Sequence, residues 1–292
     1  MENLLMRYFD FWFNRVSHEI ANAIQNESVQ ELRNHPALQK KLYKQVHLHG
    51  VGNLEPVLEL SGSLLRDIPH VPTTFNESDW VVQEAIGKDL LLKRGKVVIK
   101  APRKHGSLTY DPDSKIASIK RQRYFPAVMP DWDRIISAFG WPDLGDSRIY
   151  LPTVRDPESV AKIVEALDST KFRWHMKTTR REKVIRPDAV VLYVDETDTE
   201  DVVNHIQSVV PTTGEKIPGF SIPLNSVGTI GVGAVRPQSQ HASYGWSFAS
   251  EIAKNLKDLT NHSSTVEEKA KLSLDWLINS SRRGQVDVKL PW

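Results

Sequence analysis

The chain has no cysteine in 292 residues, which excludes disulfides, thiolate-held zinc, iron–sulfur clusters and a thiol nucleophile. It also lacks an apolar run of membrane length. The longest clear one is AVVLYV at 189–194, far short of the roughly 20 residues a spanning helix needs. A secretory start is missing too, because MENLLMRYFDFWF places an acid at position 2 and breaks its aromatics with Arg7 and Asp10. The expectation is a cytoplasmic protein with no membrane partner. Absent as well are G-x-G-x-x-G, a Walker loop, H-E-x-x-H, G-x-S-x-G and an EF-hand loop, and Gly231-Val232-Gly233 alone is too little to indicate a nucleotide. A global excess of one charge is also lacking. With 38 basic and 36 acidic residues, the net charge of +2 supports no long cationic track, so nucleic acid is not an expected partner.

What is present is an ordinary globular balance, 40% hydrophobic and 25% charged, with enough chain for one large domain or two smaller ones. Leu4, Leu5, Tyr8, Phe9, Trp12, Phe13, Val16 and Ile20 recur at helical spacing and predict an amphipathic helix over 2–25, followed by a second at about 28–45. These helices either cap the rest of the chain or bind a partner. From about 78 the texture becomes strand-like, with DWVVQEAI, a hairpin LLLKRGKVVIKA turning at Arg94-Gly95, SLTYD and KIASIKRQRYF. Arg148-Ile149-Tyr150-Leu151 reads as a strand, and Asp156-Pro157 then supplies a cap and a first-turn proline for a helix ending near Asp168. Strands at 172–177 and 189–194, a helix at about 199–210, and helices at about 247–259 and after a Ser264/Glu267 capping box complete the pattern. The predicted class is α+β: a central mixed β-sheet flanked by helices. The predicted divisions are an N-terminal helical segment (1–75), a core (76–262) and a C-terminal helix and tail (263–292).

Charge is concentrated in one place. KFRWHMKTTRREKVIR at 171–186 holds seven Lys or Arg residues and one His against a single acid, Glu182. Strand alternation puts Arg173, His175 and Lys177 on one face, with Phe172, Trp174 and Met176 on the other. Arg148 and Tyr150 likewise share a face. Because a helix joins the two segments, they are expected to be parallel neighbours that pool five polar side chains on one surface. Guanidinium groups there would grip phosphate oxygens bidentately, a crowded amine or imidazole would serve as a base, and a phenol would donate a proton. The alternative is a solvated basic edge strand. His47 and His49, two apart, make a poor metal pair because no third ligand stands near them in sequence, and no metal or other cofactor is expected.

The order of segments from Asn76 to Leu259 is similar to that of the HopA-type effector family, which includes stand-alone lyase-like proteins encoded with class V lanthipeptide and thioamitide biosynthesis. SDWVVQ around Trp80, LLKRGKVVIKAPRKH (91–105), RQRYFPAVMPDW (121–132), GDSRIYL (145–151), FRWHMK (172–177), RPDAVVLYV (186–194), PGFSIPL (218–224) and GVGAVRPQSQHASYG (231–245) carry the resemblance. It implies a phosphothreonine-lyase-like fold and a carbon–oxygen lyase. Such an enzyme would eliminate phosphate from phosphoserine or phosphothreonine of a ribosomal precursor peptide, phosphorylated by a separate kinase-like protein, to leave dehydroalanine or dehydrobutyrine.

The lyases carry a Trp-Lys pair whose lysine is the base. The matching pair here is Trp174-His175, with Lys177 two residues on, so His175 or Lys177 is the implied base. Tyr150 takes the place of their general acid, and Arg148, Arg173 and Arg186 are the implied phosphate ligands. Arg236 stands in for an arginine that the family often has after its S-F-G and that is missing after Ser243-Tyr244-Gly245. Trp174, Tyr193 and Tyr244 are the implied substrate contacts. These departures leave a noncatalytic phosphopeptide- or protein-binding effector or scaffold as the alternative.

Overall fold

The computed structural model describes residues 2–50, 65, 68, 71–95, 97–103, 106–129, 132–179, 186–212, 216–225, 228–235, 243–286 and 288–290. The class is α+β with an N-terminal helix, as the periodicities predicted. Three helices open the chain: α1 (Glu2–Ile24), α2 (Val29–Arg33) and α3 (His35–Leu42), the last running into a π-helical turn at Tyr43–His47. Where one helix was expected over 28–45, Asn34 divides two, with Pro36 in the first turn of the second.

Two sheets follow. The smaller comprises β1 (Thr74–Ile86), β2 (Asp89–Arg94), β3 (Val97–Pro102), β4 (Leu108–Asp111) and β5 (Ile116–Gln122), in the order β3-β2-β1-β5-β4. Its turn at Gly95 has φ +56°, a left-handed conformation that glycine adopts without strain. Trp80, Val82, Leu90, Leu92, Ala117 and Ile119 form a separate small core on this sheet.

The larger sheet collects β6 (Tyr124–Met129), β7 (Trp132–Ile136), β8 (Ser147–Tyr150), β9 (His175–Thr179), β10 (Val190–Val194), β11 (Ile222–Pro223) and β12 (Gly231–Val235), with β13 (Val288–Lys289) paired to β12. Its order is β11-β12-β8-β10-β9-β7-β6. The expected adjacency of the 148–150 and 175–177 segments is therefore corrected. They do run in the same direction, but β10 lies between them, antiparallel to both.

That insertion leaves the facing intact, because directly paired residues share a face. Val232, Ile149, Leu192, Met176 and Ile135 form one cross-sheet row on the buried side, each at most 2% exposed. Helices α4 (Pro157–Asp168) and α5 (Thr199–Ile206) contribute Val160, Ile163, Val164, Leu167, Val202, Val203 and Ile206 to the same core. Arg123 ties this layer together: its guanidinium lies 5.8 Å from the Trp174 ring and donates to both Asp168 oxygens, at 2.7 and 3.0 Å.

On the opposite side, α6 (Tyr244–Asp258) and the Tyr43–His47 turn cover the β12–β8 end. Trp12, Val16 and Ile20 of α1 and Leu274 and Leu277 of α7 (Val266–Arg282) belong to the large core that also holds the sheet. The N-terminal and C-terminal helices thus share one hydrophobic cluster with the central sheet. The capping box of α7 uses Thr265 and Glu268, one residue beyond the predicted Ser264 and Glu267. The spacing rule is the same, and Thr265 is the residue whose hydroxyl meets the N3 amide.

Candidate functional site

Two cross-sheet rows flank the apolar row and face the other way. One runs Gly233, Arg148, Tyr193, His175, Ile136; the next runs Gly231, Tyr150, Val191, Lys177, Arg134. The register therefore gathers Arg148, Tyr150, Tyr193, His175, Lys177 and Arg134 on a single surface. Tyr193 stands at its middle. Its ring stacks on His175 with centroids 4.3 Å apart, and the Arg148 guanidinium and Lys177 ammonium lie 5.5 and 5.1 Å from its centre. Trp141, on the loop after β7, walls the other flank, 5.0 Å from the His175 ring and 5.0 Å from the Arg134 guanidinium.

The loop that carries Trp141 is pinned at its far end. The Asp195 carboxylate accepts the backbone N–H groups of Asp143, Leu144 and Gly145 at 2.9, 2.6 and 2.7 Å. Gly140, at φ +97°, lets the same loop pass over Glu77 and Arg94 of the small sheet, where a Cβ would lie 2.7 Å from the Glu77 carboxylate. Glu77 is itself clamped by Arg94 and Arg121 at 2.6 and 2.8 Å.

Electrostatics on this face are one-sided. Both His175 ring nitrogens are buried without hydrogen-bond partners. Burial, and then the cations Arg134, Lys177 and Arg148, push the imidazole well below its ordinary pKa, so it is neutral near pH 7. Burial likewise lowers the Arg134 guanidinium. Among the described residues, neither Arg134 nor Lys177 has an ion-pair partner. A surface of three cations around a neutral imidazole and a phenol ring is built to receive negative charge.

Behind Arg148 the face closes. Tyr150 is 3% exposed, packed edge-on against His47 at 5.9 Å, and burial raises its hydroxyl well above the ordinary range. His47 is sandwiched between Tyr43 and Phe220, and burial pushes its pKa down to about 3. His49 turns away to the Ile217 carbonyl at 2.7 Å, and among the described residues no group of three or more His, Asp or Glu is placed to hold a metal ion.

The implied site residues divide accordingly. Arg148, Tyr150, His175, Lys177 and Tyr193 share the polar face. Arg173 lies just before β9 and pairs with Asp143 at 3.1 Å. Arg186 is committed to Asp188 through two bonds at 2.8 and 2.9 Å; although burial alone would lower its pKa, that pairing raises it. Trp174 is 0% exposed on the helix-covered side, so the substrate role implied for it gives way to a core one. Tyr244 is also fully buried: its ring fills the space over Gly233 and its hydroxyl donates to the Phe220 carbonyl at 3.0 Å, which replaces substrate contact by packing. Arg236 lies outside the described residues. Sequence reasoning missed Arg134 and Trp141. Arg134 was visible as the alternate residue of WDRII, but only pairing with Lys177 reveals its face.

No family model and no curated protein matches the chain. Among solved structures it is similar to an effector protein from Pseudomonas syringae pv. syringae strain 61, with 12% sequence identity and a TM-score of 0.35. The match covers 50% of this chain and 58% of that one, so the two overlap over a little more than half the effector's length. Among the described residues no helix is long and apolar enough to cross a membrane.

Proposed function

We infer that the polar face binds the phosphate of a phosphoserine or phosphothreonine residue in a peptide and eliminates it. The observation that carries this reading is the ring of cations around Tyr193 and His175, two of which, Arg134 and Lys177, have no ion-pair partner among the described residues. Arg148, Lys177 and Arg134 would hold the dianion, where each cation counts for more than it would in water.

The chemistry is a β-elimination. A base removes the α-proton, the electron pair forms the Cα=Cβ bond, and the Cβ–O bond breaks. The products are dehydroalanine or dehydrobutyrine and inorganic phosphate. His175 is the stronger candidate for the base because its ring is neutral and its nitrogens make no other bond. Burial is the larger cause of its depressed basicity, and the field of the surrounding cations adds to it. A bound dianion cancels the field of Arg134, Lys177 and Arg148 and raises the basicity of the imidazole as the substrate arrives. Tyr150, beside Arg148, would return a proton to the departing oxygen, so that phosphate leaves as the hydrogen phosphate dianion. The partner implied is a kinase-like protein that makes the phosphopeptide.

The test is incubation of the full chain with a phosphoserine peptide, read by mass spectrometry and by release of inorganic phosphate. Loss of one phosphoric acid per phosphorylated residue supports the lyase, and its disappearance in His175→Ala assigns the base. An intact phosphopeptide that nonetheless binds would support the second reading, a noncatalytic phosphopeptide-binding module. The burial of Tyr150 and of both His175 nitrogens favours that reading.

A further inference from the structure

Away from the polar face, an open-sided cavity of about 400 Å³ lies between α1 and the residues 216–217, 223, 225 and 228. Tyr8, Phe11 and Arg15 follow one another at i, i+3 and i+7 and make one wall; Ile217, Pro223 and Lys216 contribute to the other. Its volume falls in the range of small-molecule sites, roughly 300–1,000 Å³. Phe11 is 64% exposed at the rim, while its neighbour Trp12 is fully buried in the core, so the helix turns an aromatic ring outward that packing does not require.

The two cations are of different kinds. Arg15 is held in place, its Nη2 donating to the carbonyls of Gly219 and Ser221 at 2.8 and 3.1 Å, and burial lowers its pKa. Lys216 is exposed at the mouth. Among the described residues neither is within ion-pair distance of an acid, and no acid lines the cavity; Glu19, one turn beyond Arg15, acts on the guanidinium only through its field, which offsets part of the effect of burial. A partly desolvated guanidinium beside apolar walls favours a ligand with one negative charge and a hydrophobic body. A phosphate dianion, with no apolar part, would leave Tyr8, Phe11, Ile217 and Pro223 uncovered. We propose that this cavity binds a small organic carboxylate with a short aliphatic or aryl-alkyl body, its carboxylate between Arg15 and Lys216 and its body against Phe11 and Tyr8.

The test is calorimetric titration of the full chain with phenylbutyrate and, separately, with phenylbutanol, which has the same body without the charge. The acid is expected to bind about tenfold more tightly than the alcohol, the difference one charge-assisted contact makes. Lys216→Ala and Phe11→Ser, both at exposed positions that the core does not use, are each expected to weaken the acid several-fold. Saturating inorganic phosphate is expected to leave its affinity unchanged, since phosphate is assigned to the other face. Equal affinity for acid and alcohol, displacement by phosphate, insensitivity to both substitutions, or no heat at millimolar phenylbutyrate would each overturn the proposal. None of these outcomes depends on whether the polar face is a lyase.

Discussion

Tyr193 and His175 lie ring on ring, their planes 16° apart, as directly paired residues of adjacent strands. The pairing matters because it fixes the imidazole without a hydrogen bond, both nitrogens being buried and unpartnered, while Arg148 and Lys177 approach the same tyrosine ring. Aromatic stacking and cation–π attraction together hold a cluster that Coulomb repulsion alone would disperse.

The first prediction concerns that ring. Tyr193→Leu removes two cation–π contacts worth about 0.5–1 kcal/mol each, so inorganic phosphate should bind up to roughly fivefold to thirtyfold more weakly as the cations lose their common support. Tyr193→Phe, which keeps the π face, should bind as the wild type does. Phosphate titrations of the three proteins decide it, and equal weakening in Phe and Leu would show that the hydroxyl, not the ring, is what counts.

A second prediction follows from His47, buried and held to a pKa of about 3. Its folded-state value lies below the unfolded value of about 6.5, so the unfolded chain binds more protons in the window between them. The sign is therefore a loss of stability as pH falls below 6.5, with a slope approaching about 1.4 kcal/mol per pH unit from this residue. His47→Asn should remove about one proton's worth of that slope between pH 6 and 4.5, as measured by denaturant unfolding across that range. An unchanged slope would mean that the ring is charged in the folded protein.

Much of this arrangement was legible in the sequence because strands and helices write their faces in period. Asp156-Pro157 announced the start of α4, and Asp156 indeed accepts the Ser159 amide at 2.8 Å. Alternation correctly assigned Arg148 and Tyr150, and His175 and Lys177, to single faces. It could not say which strands are neighbours, since period reports direction and not partner, and so β10 was not foreseen between them. Pairing between charges was equally invisible. Arg186 reads as a free cation in a basic run, yet Asp188, two residues on, takes its guanidinium. Trp174 and Tyr244 failed as substrate contacts for a related reason: an aromatic beside charged residues is apolar first and goes to the core wherever the core has room.

A third prediction tests the anchoring of Trp141. Asp195 accepts three successive backbone N–H groups, so Asp195→Ala leaves the loop 143–145 without its partner. The amides of Asp143, Leu144 and Gly145 should exchange about tenfold to a hundredfold faster with deuterium, while those of β8 and β10 keep their protection. Unaltered exchange at 143–145 would show that the loop is held by Gly140 and the Glu77 cluster instead.

Gly233 supplies a fourth. A Cβ built there would sit 2.4 Å from the Tyr244 ring, which is fully buried and tied to the Phe220 carbonyl, so the ring has nowhere to retreat. Gly233→Ala should cost about 1–3 kcal/mol or more by overpacking, seen as a lowered denaturation midpoint. Pairing it with Tyr244→Ala, which vacates the space, should make the two losses less than additive. Strict additivity would mean that the two sites do not touch.

The last prediction separates function from stability at one residue. Arg134 sits on the polar face with its Nε buried and unpartnered, its guanidinium lowered by burial, and no acid paired to it. A desolvated cation beside Lys177 and His175 is a cost to the folded state, offset only in part by the Trp141 ring 5.0 Å away. Arg134→Gln should therefore leave the unfolding midpoint unchanged or raise it slightly, while weakening phosphate about tenfold, because one of three cations around the dianion is gone. The opposite outcome, a large loss of stability with phosphate affinity intact, would mean that Arg134 braces the Trp141 loop and that the anion is held by Arg148 and Lys177 alone. Measuring denaturation and phosphate titration on the same preparation distinguishes the two, since a bracing residue moves the first and a ligand moves the second.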